Sequence, residues 1–150
     1  MKAILIDEIG SHKNARLGDA PEPVPGPDEL LVDLRAADIN FPDLLTIEGL
    51  YQVRPPLPFV PGKGGAGVVA AVGEGVSGFS PGDRVLVEVE YGTFAERVAA
   101  PAVNCFHLPD GMPFDEAAVF GLVYQTGYFA LKVRAQQQPG EVVLVFGASG

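Results

Sequence analysis

Asn40, Asp43, Tyr51 and Thr126 are the polar side chains that this sequence sets beside apolar segments. An amide, a carboxylate, a phenol and a hydroxyl can orient a ligand through hydrogen bonds. Bonds donated to an oxygen strengthen as negative charge develops on it. Each residue also has a plain structural role. Asn40 suits a helix cap, Asp43 a first-turn dipole partner, Tyr51 an aromatic with one wet end, and Thr126 a hydroxyl bonded back into its own helix. Near the C-terminal end, Gly147-Ala148-Ser149-Gly150 follows the β-branched run Glu141–Phe146. A glycine turn after a buried strand exposes backbone amides to an anion, so this tetrapeptide reads as half of a phosphate-binding turn.

Other chemistries lack their parts. His12, His107 and Cys105 show no paired spacing of the kind that holds zinc, so no metal is expected. Neither Ser149 nor Cys105 sits in a nucleophile elbow or beside an activating base. With one cysteine no intrachain disulfide forms, and Cys105 reads as a buried structural thiol in a reducing compartment. The formal charge of −9 disfavours both nucleic acid and an anionic membrane surface. No signal peptide and no apolar run of membrane-spanning length is visible, which makes the cytoplasm the expected location. At 150 residues and 47% apolar, the chain can bury a real core around one domain.

The elements that would carry these residues follow from turn chemistry and periodicity. Residues 2–7 alternate as a strand, and Glu8–Leu17 reads as a turn or ribbon tip. Four prolines between Ala20 and Pro27 demand extended surface chain. Glu29–Ile39 alternates as a half-buried strand. Phe41–Gly49 has helical spacing, with Asn40 at its cap and Gly49 as its stop. A proline-stiffened connector, Arg54–Pro61, leads to six glycines between Gly62 and Gly75 that frame the apolar run Val68–Val72. Further strands are expected at Arg84–Glu90, Phe94–Ala99 and Asn104–Leu108. From Pro113 a helix runs to about Val133, with Gly121 and Gly127 as breaks or close contacts. Glu141–Phe146 would be a strand of a parallel sheet. At least six short strands with closely spaced turns imply a mainly β fold with a few helices.

In order, NFPDLLTIEGLY, PPLPFVPG, GAGVVAAVGEGV, PGDRV, GTFAERV, LPDGMPFDEAA, QTGYFAL and PGEVVLVFGASG resemble the medium-chain dehydrogenase/reductase family, in its zinc-free quinone oxidoreductase (zeta-crystallin-like) branch. The resemblance implies a GroES-like, partly open β-barrel over residues 1–125. Residues 126–150 would then be a linking helix and the first strand and glycine turn of an incomplete, truncated Rossmann domain. It further implies hydride transfer from NADPH, NADH not being excluded, to a quinone, an enone or a similar activated double bond, in a full-length homodimer. Asn40 and Tyr51 would face nicotinamide and substrate, Thr126 the carboxamide, and Gly147 and Gly150 the pyrophosphate. Zinc-dependent relatives carry a metal-binding Cys at position 40 and a His at position 63, where this chain has Asn40 and Lys63. Most relatives also carry Glu at position 64, where this chain has Gly64, so a polar anchor near the cleft is expected to be lost. The alternatives are a stand-alone GroES-like binding or assembly module without redox chemistry, and an enoyl-reductase module of a larger synthase.

Overall fold

A computed structural model describes residues 1–147. Strand β1 (Lys2–Ile6) pairs antiparallel with β2 (Ala15–Asp19) as a separate two-stranded ribbon. Strands β3 (Glu29–Ala37), β4 (Gly64–Val72), β5 (Arg84–Glu88), β6 (Arg97–Pro101) and β7 (Cys105–His107) form an antiparallel sheet ordered β6-β3-β4-β5-β7. Isolated bridges Ala3–Ala95 and Ile6–Phe59 tie the ribbon to the sheet. The expected mainly β, GroES-like curled half-barrel is what forms. The chain crosses between non-neighbouring strands twice, and β6 and β7 stand at the two edges of the sheet without pairing to each other.

Alternation decides what is inside. Leu30 and Val32 of β3, Val69 of β4, Val85 and Val87 of β5, and Val98 and Ala100 of β6 point inward and form one buried cluster with Cys105. A residue such as Leu30, fully removed from water, contributes roughly 1.5–3 kcal/mol by burial. A smaller cluster of Ile6, Ile47 and Phe59 seats helix α1 (Phe41–Glu48) under the ribbon. That helix ends at Gly49, whose φ of 74° is the left-handed conformation glycine tolerates best. At Gly67 the β3 backbone comes so close that any Cβ would strike the Asp33 carbonyl, beside the register shift between Leu34 and Ala36.

Helix α2 (Phe114–Tyr128) continues as a π-helical turn through Phe129–Arg134. Ala117 and Ala118 pack on Ala66 of β4. Gly121 is a close contact, since a Cβ there would collide with the Glu88 carboxylate, whereas Gly127 faces open space.

Three expectations need correction. Ala15–Leu17 is strand rather than ribbon tip, because β1 supplies the hydrogen bonds that its polar residues do not advertise. The strand expected at Phe94–Ala99 starts at Arg97 and extends to Pro101, following the edge of β3. Glu141–Phe146 forms no strand among the described residues: no neighbouring strand pairs with it, and Val142, Leu144 and Phe146 lie exposed. Gly150 lies outside the described residues.

Candidate functional site

Four segments meet around the corner where the Pro61–Gly64 turn enters β4. The end of β3 brings Asp38 and Asn40, α1 brings Asp43, and the loop after α1 brings Tyr51. Strand β5 runs antiparallel to β4 with Glu88 opposite Gly64. Extended backbone at Asn40 stops β3 and starts α1 in the cap position. Its N–H donates to Asp43 Oδ2 at 2.7 Å, and its Nδ2 donates to Asp38 Oδ2. Asp43 is therefore more than a dipole partner, since it ties the first turn of α1 to the end of β3.

Lys63 is buried yet charged. Its Nζ donates to the Glu90 carboxylate and to the Glu90 carbonyl, each at 2.9 Å, and lies 4.3 Å from the Tyr51 ring centre. An ammonium over an aromatic face is attractive, and burial of Lys63 at 7% exposure sharpens the attraction while Glu90 stays wet. Thus Tyr51 sits over Lys63, and Asn40 sits with Asp38 against the adjacent Gly64.

The acids of this corner are unequal. Burial pushes the Asp43 carboxyl above its ordinary range, and the bond from the Asn40 amide only partly offsets that. Burial raises the Glu88 carboxyl too, against the bond it accepts from Gln125 Nε2 at 2.8 Å. Asp38 Oδ1, Asp43 Oδ1 and Glu88 Oε1 are buried with no hydrogen-bond partner. By contrast Cys105 lies in the core, its thiol pushed up to about 12 by burial, which leaves it inert.

Thr126 stands apart from the corner. It is exposed on α2, and its hydroxyl donates to the Leu122 carbonyl at 2.7 Å, the back-bonded arrangement. Its oxygen keeps lone pairs for an incoming N–H. The neighbouring Gln125, through Glu88, is what connects α2 to the site. Gly147 has φ 67°, a turn conformation, and no side chain lies within 4 Å of where its Cβ would stand. Sequence reasoning missed Asp38, Glu88, Glu90 and Gln125. Of these only Asp38 carried a local signal, its place two residues before Asn40 at the end of a strand.

The donor set suits some groups and not others. The Asn40 amide and the Tyr51 phenol complement a carboxamide such as that of nicotinamide, while Thr126 is not gathered with them. Zinc does not fit: position 40 offers an amide committed to Asp38, position 63 offers a cation, and among the described residues no three His, Cys, Asp or Glu side chains are grouped to hold a metal.

Residues 26–110 match the family model described as the alcohol dehydrogenase GroES-like domain. The human synaptic vesicle membrane protein VAT-1 homolog is 43% identical over the whole chain, which spans 39% of that relative's length. A probable oxidoreductase from Mycobacterium abscessus superposes with a TM-score of 0.93 at 41% identity, covering all of this chain and 48% of that one. The quinone oxidoreductase from Thermus thermophilus, solved alone and with NADPH, gives a TM-score of 0.80 at 38% identity, covering 94% of this chain and 43% of that one.

Proposed function

The chain belongs to the medium-chain dehydrogenase/reductase family, whose GroES-like domain it carries, and from that premise we propose that it is the catalytic-domain part of a zinc-independent NADPH-dependent reductase of quinones or enones. The observation that carries this reading is the corner itself. At the two positions where zinc-dependent relatives have metal ligands, an amide and a paired ammonium stand beside a phenol.

On this reading Asn40 and Tyr51 face the acceptor. NADPH, when bound, supplies the hydride. The acceptor oxygen then gains charge, and N–H and O–H donors from Asn40 and Tyr51 stabilise it more in the transition state than in the ground state. Lys63 holds the Tyr51 ring in place through its face. Thr126 accepts from the carboxamide, and Gly147 and Gly150 open the pyrophosphate turn. Residues 126–150 are then the link and the opening of a dinucleotide-binding domain, in a homodimer. One unpaired, buried cysteine supports a cytoplasmic setting, and no described helix is long and apolar enough to cross a membrane.

The test uses the complete reading frame. Tyr51→Phe and Asn40→Ala should each lower kcat/KM for quinone reduction by about tenfold or more. Unchanged turnover in both retires the assignment. Residues 1–150 alone should show little NADPH binding by fluorescence or thermal shift, and the complete frame clear binding. Tight binding by the short chain would contradict the division at residue 126.

A further inference from the structure

Gly64 has no side chain, and the space in front of it is taken by the carboxylate of Asp38, the residue that follows β3. A Cβ on Gly64 would lie 2.5 Å from Asp38 Oδ1, 3.0 Å from its Cγ and 3.1 Å from Oδ2. No side chain fits there while Asp38 stays where it is. Asp38 is held on both sides: its backbone N–H donates to the Gly64 carbonyl at 3.2 Å, and its Oδ2 accepts from Asn40 Nδ2. At 4% exposure it cannot swing out to solvent without opening the end of β3. Its Oδ1 has no partner, so it is not there to satisfy a structural hydrogen bond on that side. The acid expected at position 64 is therefore absent as a residue while a carboxylate still occupies the corner.

We propose that Asp38 and Gly64 form a reciprocal pair, in which Asp38 supplies the carboxylate of the corner and acts as the positioning residue that fixes which way the Asn40 amide points. A carboxylate only accepts. The Asn40 amide must turn Nδ2 toward it, because a flipped amide would set Oδ1 against the carboxylate and leave both oxygens without a proton between them. One Nδ2 hydrogen is used by Asp38 and the other remains as a donor of defined direction. Gly64 makes room for this arrangement, and any larger residue there would displace Asp38 and release the amide.

The functional arm rests on the reading of Asn40 as a donor to the acceptor oxygen; the structural arms do not. In the complete reading frame, the isosteric change Asp38→Asn should lower kcat about tenfold, roughly the worth of one oriented hydrogen bond, while KM moves less than twofold. In protein labelled with 15N-asparagine, the Asn40 side-chain amide resonances, assigned by their loss in Asn40→Ala, should shift in Asp38→Asn. They should shift also in Gly64→Ala, which leaves Asp38 chemically intact. Gly64→Ala should lower the melting temperature by several degrees in the parent background and not in Asp38→Ala. Unmoved Asn40 amide resonances in both variants, or equal melting losses in the two backgrounds, overturn the pair. A parent without quinone reductase turnover sinks the reaction proposed above, and the resonance and melting measurements then decide the pair by themselves.

Discussion

The β sheet and the stretch from Val119 to Phe146 are both rich in Val, Leu and Phe, and they dispose of them in opposite ways. In the sheet, Leu30, Val32, Val85 and Val87 are withdrawn completely from water. Beyond the inner face of α2, Val119, Val123, Tyr124, Tyr128 and Phe129 are turned outward, as are Val142, Leu144 and Phe146. Phe120 and Tyr124 stack on each other, 4.2 Å between ring centres, for want of another cover. The sheet finds cover on both faces: one carries the cluster around Leu30 and Val87, and the other is closed at Ala66 by Ala117 and Ala118 of α2. Helix α2 has apolar residues around most of its circumference, and its fully buried contacts with the sheet are made by Ala117, Ala118 and Gly121, with Phe114 half-buried beside them. Apolar content by itself thus says nothing about what is core; the small residues mark the buried side of this helix and the large ones mark a surface.

The strongest way to break this contrast is truncation on each side of it. Leu30→Ala should cost about 2–5 kcal/mol in unfolding free energy by chemical denaturation, because the packed sheet cannot close over the cavity. Val123→Ala should stay within about 0.5 kcal/mol, as exposed substitutions do. Equal losses would mean that the outward face is buried in the native protein. A finer comparison lies within α2. Gly127→Ala should stabilise by up to about 1 kcal/mol through helix propensity alone. Gly121→Ala should forfeit that gain, since its methyl must push Glu88 off the Gln125 amide. Melting curves of the two variants separate the faces.

The smallest effect is a pH slope. Burial raises the native carboxyls of Asp43 and Glu88 above their ordinary 3.8 and 4.5, so the native state takes up protons before the unfolded one. Bound protons then favour the native state, and these two groups add stability as pH falls from their native values toward 3.8 and 4.5. Exposed Asp7 and Asp19, lowered by Arg16 and Lys2, pull the other way. Asp43→Asn should therefore lose part of the gain on acidification, read as a steeper fall of melting temperature than in the parent as pH is lowered toward 3.8. A parent curve identical to the variant's would show that Asp43 titrates normally.

Much of the fold was legible because turns and alternation are local. Gly49 and the glycine frame around β4 announce where elements stop, and Asn40 announces where α1 begins. Strand β2 was hidden because Arg16 and Gly18 break the apolar pattern on an exposed ribbon. The segment Glu141–Phe146 was misleading for the converse reason: a β-branched run states a preference, and a strand needs a neighbour. At the site, Asn40, Tyr51 and Lys63 stood out by position. Asp38 stood two residues before Asn40, but Glu88, Glu90 and Gln125 reach the corner through the β4–β5 register and the seating of α2, which no short stretch of sequence displays.

Gln125 donates to Glu88, and Glu88 on β5 is the direct partner of Gly64 on β4. A movement of α2 that broke this bond would remove the side-chain donor that offsets burial at the Glu88 carboxyl. Helix α2 is thereby tied to an acid on β5 that pairs across to the corner. Whatever moves that helix is therefore felt by the acid that stands opposite Gly64.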